Sequence, residues 1–242
     1  MDGRGSQRSV IKFEKLENML KAFTFILIIF LAYTTNVIGQ EKYVRFVDEA
    51  GKDKSFSIFR QKLLDAVKKR DAKFVLSILD REIKNSFGGS NGIAEFKETW
   101  KINNRNSPFW DEMNAVLTNG GSFMDESKQM FSAPYLFKQP FPEKIDTYEY
   151  AAIFGKNVKL YKQPKSNSAV VATLSFNVVK PDYNKSVKDK SKEDKYHWVK
   201  VETLGGKKGF VRGEFVRSPI DYRAVFAKEN GKWKMITFIA GD

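Results

Sequence analysis

The sequence predicts an α+β protein with a mainly helical N-terminal domain, a small β-barrel and a C-terminal β-hairpin. Three observations predict it. Between residues 55 and 117, apolar side chains recur at the spacing of amphipathic helices. From Ala151 onward the pattern changes to alternating or continuous β runs. Asn230-Gly231 then separates two such runs, Tyr222–Phe226 and Trp233–Ile239. Asn-Gly in that setting is the strongest short-range hairpin signal.

The chain opens with a polar stretch of mixed charge, residues 1–18, before Met19-Leu20-Lys21 and the uncharged run Ala22–Tyr33. A basic residue, a short apolar run and a small-residue exit make a secretory signal peptide, assigned to residues 19–39. Met19 reads as the initiator and residues 1–18 as upstream translation, since a basic n-region is normally only a few residues long. The apolar run is short for a span, which takes about 20 residues. An uncleaved N-terminal anchor is the alternative. Both readings put the rest of the chain outside the cytoplasm, in the periplasm or the extracellular space.

Residues 40–150 are assigned to the helical domain. Phe59, Leu63, Leu64 and Val67 form one helical stripe, with Arg60, Lys62, Lys68, Lys69 and Arg70 toward water. Asp71 reads as an N-cap, its short side chain accepting from the next turn's amides. Phe74, Val75, Ile78 and Leu79 continue at helical spacing, so a helical pair is expected over 55–83. A third helix is expected over Ile93–Trp100 and a fourth over Pro108–Leu117, proline suiting a first turn and Asn119-Gly120-Gly121 a helix end. Trp100, Phe109 and Trp110 are its expected core. Ser132–Glu143 carries three prolines and reads as an extended connection.

Residues 151–217 are assigned to the barrel. Short strands are expected at Val158–Tyr161, Val170–Leu174, Trp198–Val201 and Gly209–Val211. Residues 181–195 are almost all polar or charged and read as a mobile hairpin loop. Val158, Leu160, Val171, Leu174, Val199, Val201 and Phe210 are the expected core. Residues 218–242 form the last hairpin. A lone hairpin is marginal in water, so it must pack on one of the two domains, and the sequence does not say which.

Composition narrows the chemistry. There is no cysteine, which excludes disulfides, thiol nucleophiles and cysteine-held metals. The one histidine, His197, excludes a two-histidine zinc site and reads as a surface strand residue. No catalytic residue, metal or cofactor is therefore assigned. The formal net charge is +13 at pH 7, which favours acidic polymers, although a lysine-rich surface also simply keeps a protein soluble. Export argues against nucleic acid as the partner. Membrane contact is expected only through an uncleaved signal sequence.

Residues 151–217 also resemble a bacterial SH3 domain (SH3b, or SH3 type 3). The matching pieces run in the family's order: Asn157-Val158-Lys159-Leu160-Tyr161, Pro164, Val170–Leu174, Trp198-Val199-Lys200-Val201, Gly205–Val211 and Phe215-Val216. Leu160 stands where arginine is usual, Phe176-Asn177 where glycine is common, and 181–195 is an insertion. The flanks are weakly similar to NTF2-like domains: Asp65–Asp71 to their opening, Asp221–Met235 to their closing hairpin. This similarity implies a domain built from both ends of the chain with the barrel inserted.

The SH3b resemblance implies an SH3-like barrel and a non-enzymatic exported cell-envelope binding protein. Its partner would be peptidoglycan or a wall-associated peptide, or another envelope protein. Tyr161, Tyr196, Trp198 and Phe210 are the candidate ligand contacts, since aromatic faces stack on sugar rings or clamp peptides. Core packing is the other reading of Trp198 and Phe210. Two alternatives remain: a wall hydrolase targeted by the barrel, or a periplasmic interaction or inhibitor module. A hydrolase would draw on paired carboxyls from Glu95, Glu98, Asp111 and Glu112, which as residues of amphipathic helices are expected in solvent.

Overall fold

The computed structural model describes residues 39–89, 91–191 and 195–241. The expectations for residues 1–38 lie outside these. Among the described residues no helix is long and apolar enough to cross a membrane.

The helical layer starts at α1 (Lys54–Lys69). Asp53 caps it by accepting from the Phe56 amide at 2.8 Å, and Lys68 and Lys69 sit in the last turn, where their charge complements the helix dipole. Arg70 ends it in the left-handed region at φ 56°. Asp71 caps α2 (Ala72–Ser77), accepting from the Phe74 amide at 3.0 Å. The expected helix through residue 83 stops there. Leu79–Lys84 is instead a strand, β1, lying parallel to a C-terminal strand with Leu79 opposite Met235. Ile83 is fully buried, and the backbone bonds available from that distant strand outweigh the weak local helical preference. The helices α3 (Ile93–Trp100) and α4 (Phe109–Thr118) follow. Gly120, at φ 66°, ends the second, and a Cβ there would lie 2.3 Å from the Val47 carbonyl oxygen.

Next come β2 (Ser122–Phe123), β3 (Met130–Ala133) and a short helix, α5 (Tyr135–Lys138). The segment 132–143, expected to be extended throughout, therefore contributes two strand residues and a helical turn. The strands β4 (Ala151–Ile153), β5 (Val158–Tyr161), β6 (Val170–Leu174), β7 (Val178–Lys188), β8 (Tyr196–Thr203), β9 (Lys208–Arg212) and β10 (Val216–Arg217) come next in the chain. The hairpin β11 (Arg223–Glu229) and β12 (Lys232–Ile239) closes it, turning at Asn230 and Gly231 with φ of 48° and 76°.

Two sheets result. The first has the order β1-β12-β11-β3-β2. Its centre is the C-terminal hairpin, and its outer strands come from the expected helical domain, residues 40–150. One face packs on the helices through an aromatic core. Phe56 lies 4.0 Å from Phe131 and 4.8 Å from Trp233, ring centre to ring centre, and Phe238 lies 5.5 Å from Phe109 and 5.1 Å from Trp100. The domain expected over residues 40–150 is thus not purely helical: it shares a mixed sheet with the last strands of the chain.

The second sheet, order β10-β4-β7-β8-β9-β5-β6, is antiparallel and curls into half a barrel. Its concave side holds Val158, Leu160, Leu174, Val179, Val199, Val201 and Val211. Two expected core residues fall elsewhere. On β9 the inward positions are Gly209 and Val211, with Phe210 half-buried on the other face. The period of two makes this choice strict: Val211 opposes the buried Val199, so Phe210 must face out. Val171 is 43% exposed, because Ala172 and Leu174 take the inward positions of β6 and the period of two turns Val171 outward.

Residues 181–188, expected to lie in a mobile hairpin loop, belong instead to the strand β7. β7 pairs with β8 as far as Lys188, which opposes Tyr196. Backbone pairing does not depend on side-chain polarity, and Ser186 repairs the irregular middle of the ribbon. Its hydroxyl donates to the Asp182 carbonyl at 2.8 Å and accepts from the Lys200 amide at 2.9 Å. A third cluster, with Val44, Tyr135, Leu136, Ala152, Phe154 and Val178 buried in it, joins the N-terminal segment and α5 to β4 and β7.

Candidate functional site

Three of the four aromatic candidates share one face of the curled sheet. Tyr161 on β5 opposes Phe210 on β9, Phe210 opposes Lys200 on β8, and Trp198 opposes Arg212. Directly opposed residues point to the same side. The Tyr161 and Trp198 rings meet edge to face at 5.5 Å. The Lys200 ammonium lies 4.6 Å from the centre of the Phe210 ring, and the Arg212 guanidinium 5.4 Å from that of Trp198. Each is a cation held by a ring quadrupole. Trp198 is only 3% exposed, so it has little surface left for a ligand. It serves to fix Tyr161 and Arg212 in place.

Tyr196 lies apart from these three. It packs against Tyr183 with ring centres 5.1 Å apart. Both line a cleft of about 480 Å³ between α4, the β8–β10 end of the curled sheet and the connection into β11. His197 lies on its wall, exposed as expected, with Nε2 2.8 Å from Arg212 Nη1.

The charged wall of this cleft is built from both sheets. Glu112, in the first turn of α4, is 5% exposed, although its place on an amphipathic helix predicts solvent. Its Oε1 lies 2.5 Å from Arg217 Nη2 on β10, and its Oε2 lies 2.5 Å from Lys195 Nζ at the end of the ribbon. Burial alone would raise the Glu112 pKa. The charges and hydrogen bonds of Arg217 and Lys195 outweigh it and hold the carboxyl below its ordinary value. Arg217 also donates to the Tyr222 carbonyl at 2.8 Å, while its buried Nε has no hydrogen-bond partner.

Asp221 lies on the connection between the sheets and accepts from the Ser218 amide at 2.9 Å. It meets water in the cleft, yet protein atoms crowd it on most sides. That desolvation raises its pKa, against Arg217 and the Ser218 amide and with the help of Glu112.

Of the carboxyls considered for hydrolysis, Asp111 and Glu112 line the cleft and Glu95 and Glu98 do not. Both oxygens of Glu112 are engaged by cations, a structural rather than a proton-transferring arrangement. Among the described residues no three His, Asp or Glu side chains gather as a metal site. Tyr183, Lys195, Arg217, Asp221 and Tyr222 join the cleft without any local motif to announce them.

Comparison with known proteins adds no family: no family model matches the chain, and no curated protein matches its sequence.

Proposed function

We propose that the chain is a non-enzymatic binding protein of the cell envelope, exported to the periplasm or beyond. Residues 151–217 would act as an SH3b-like module on peptidoglycan or a wall-associated peptide. One observation carries the reading: Tyr161 and Phe210 lie side by side with Lys200 and Arg212, and Trp198 sits beneath them. Rings offer contact area at little entropic cost. Cations already positioned over rings lose less freedom on meeting a carboxylate or phosphate than free surface lysines do. The strongly basic composition adds long-range attraction to such polymers, which weakens as salt rises.

The test is co-sedimentation of the protein from Gln40 onward with insoluble peptidoglycan across a salt series. Retention at moderate salt that is lost in a Lys200→Ala/Arg212→Ala double variant, and reduced in Tyr161→Ala, supports the proposal. Pelleting that is indifferent to all three substitutions refutes it. Clearing of wall material in a gel overlay would refute its non-enzymatic part.

A further inference from the structure

We propose that the outer edge of β6 is a docking site for an extended acidic segment of a partner polypeptide, which adds to the curled sheet as a further strand. β6 is the terminal strand of that sheet, and β5 is its one strand partner among the described residues. Its sequence, Val170-Val171-Ala172-Thr173-Leu174, is uncharged and rich in β-branched residues, which suit a strand. Val170 and Val171 are 49% and 43% exposed.

Natural sheets usually protect such an edge with a charge or proline on the strand itself, or by covering it. β6 carries neither residue. Its one guard is the slip in pairing at Val171. An unprotected edge has unpaired amides and carbonyls that an incoming strand can satisfy, with specificity from alternate side chains.

The surrounding charge selects the occupant. From Gly155 to Asn177 the hairpin bears Lys156, Lys159, Lys162 and Lys165, all exposed, and no Asp or Glu. Lys159 on β5 already reaches onto β6, donating to the Thr173 hydroxyl at 3.4 Å, so the lysines lie within a side chain's reach of glutamates or aspartates on a strand added beyond it. A second copy docked edge to edge would bring one basic hairpin toward another, a repulsion that acts through space and weakens with salt. Val170 opposes Tyr161, so the edge borders the ring face described above. The two sites differ in chemistry: the edge binds main chain, the ring face binds anionic groups through Lys200 and Arg212.

The test uses the full-length protein and a fluorescein-labelled acidic peptide, Glu-Val-Thr-Val-Glu-Val-Thr-Glu, read by anisotropy. Two control peptides accompany it. One has every glutamate replaced by lysine, and the other is the acidic peptide with alternate backbone amides N-methylated. Binding tighter than about 1 mM is expected for the acidic peptide, with each control at least about tenfold weaker. Val171→Glu, an exposed change, weakens binding by a similar factor. Amides of residues 170–174 in the unmodified chain gain hydrogen-exchange protection when the peptide is present, a readout independent of any variant. Lys200→Ala/Arg212→Ala keeps edge binding within about threefold, which separates this site from the ring face. No binding at millimolar peptide overturns the proposal, as does equal binding of the N-methylated or lysine peptide. Sedimentation of the free protein as a dimer that Val171→Glu dissolves assigns the edge to a second copy and overturns it too.

Discussion

Replacing Glu112 with glutamine tests whether one buried carboxylate ties the two sheets together. The substitution keeps the shape and removes the charge between Arg217 and Lys195. Removing one partner of a buried ion pair costs about 3–5 kcal/mol, because the remaining charge stays buried. The two cations are not equal. The Arg217 side chain is 9% exposed and carries most of the effect, whereas that of Lys195 is 48% exposed and belongs with surface pairs worth about 1 kcal/mol or less. Glutamine keeps one acceptor for Arg217, which places the expected loss near the lower limit, about 3 kcal/mol. For a chain of this size that lowers the melting temperature by about 6–12 °C.

Urea denaturation with a Glu112→Gln, Arg217→Met cycle is the measurement. The double variant should be less destabilised than the sum of the singles by at least about 1 kcal/mol. The pH dependence has a fixed sign. The Glu112 pKa is depressed in the folded protein from an ordinary 4.5, so its contribution is complete above that value and is lost as pH falls through the folded pKa. The variant should therefore lose less stability on acidification than the parent. A loss under about 1 kcal/mol, or strict additivity in the cycle, refutes the reasoning.

Two further outcomes follow from the same region. Asp221→Asn removes a carboxylate whose pKa is raised, chiefly by desolvation. Such a group destabilises the fold above its folded pKa, and the penalty is relieved as pH falls toward its ordinary 3.8. The variant should be more stable than the parent at pH 7 and match it at pH 3, as thermal melts at both values will show; equal differences at both would contradict the assignment. Gly213→Ala places a Cβ 1.9 Å from the Tyr196 carbonyl oxygen and must displace the turn Gly213–Phe215. A cost of about 1–3 kcal/mol is expected, with weakened protection of the Tyr196 and His197 amides in hydrogen exchange.

The helix starts and stops were legible because they are local. Asp71 has the side chain a cap requires, and it caps. Ile93–Trp100 forms the helix its spacing predicts. Asn230-Gly231 makes the hairpin turn because both residues tolerate positive φ. The strand β1 was not legible: Ile78 and Leu79 fit a helical stripe, and the partner that makes 79–84 a strand lies some 150 residues onward. The register of β9 was likewise open until Val211 met Val199, since either alternation of that short run would look amphipathic alone. Tyr161, Trp198 and Phe210 could be named residue by residue, with core packing as the other reading of the last two; that Trp198 is buried while Phe210 is not depends on the neighbours each strand receives.

The sequence by itself determined which segments bend, cap or extend, the sign of the surface charge and the absence of thiol chemistry. These depend on residue type and on neighbours within a few positions. Only the tertiary structure decided that the last hairpin is the centre of the first sheet and that residues 151–217 are inserted between two of its strands. It also decided that a glutamate on an amphipathic helix is buried. Each of those outcomes is set by pairing between residues far apart in the chain, Met235 with Leu79 or Arg217 with Glu112, and the energy of such a pair exists only once the backbone has brought both partners to the same place.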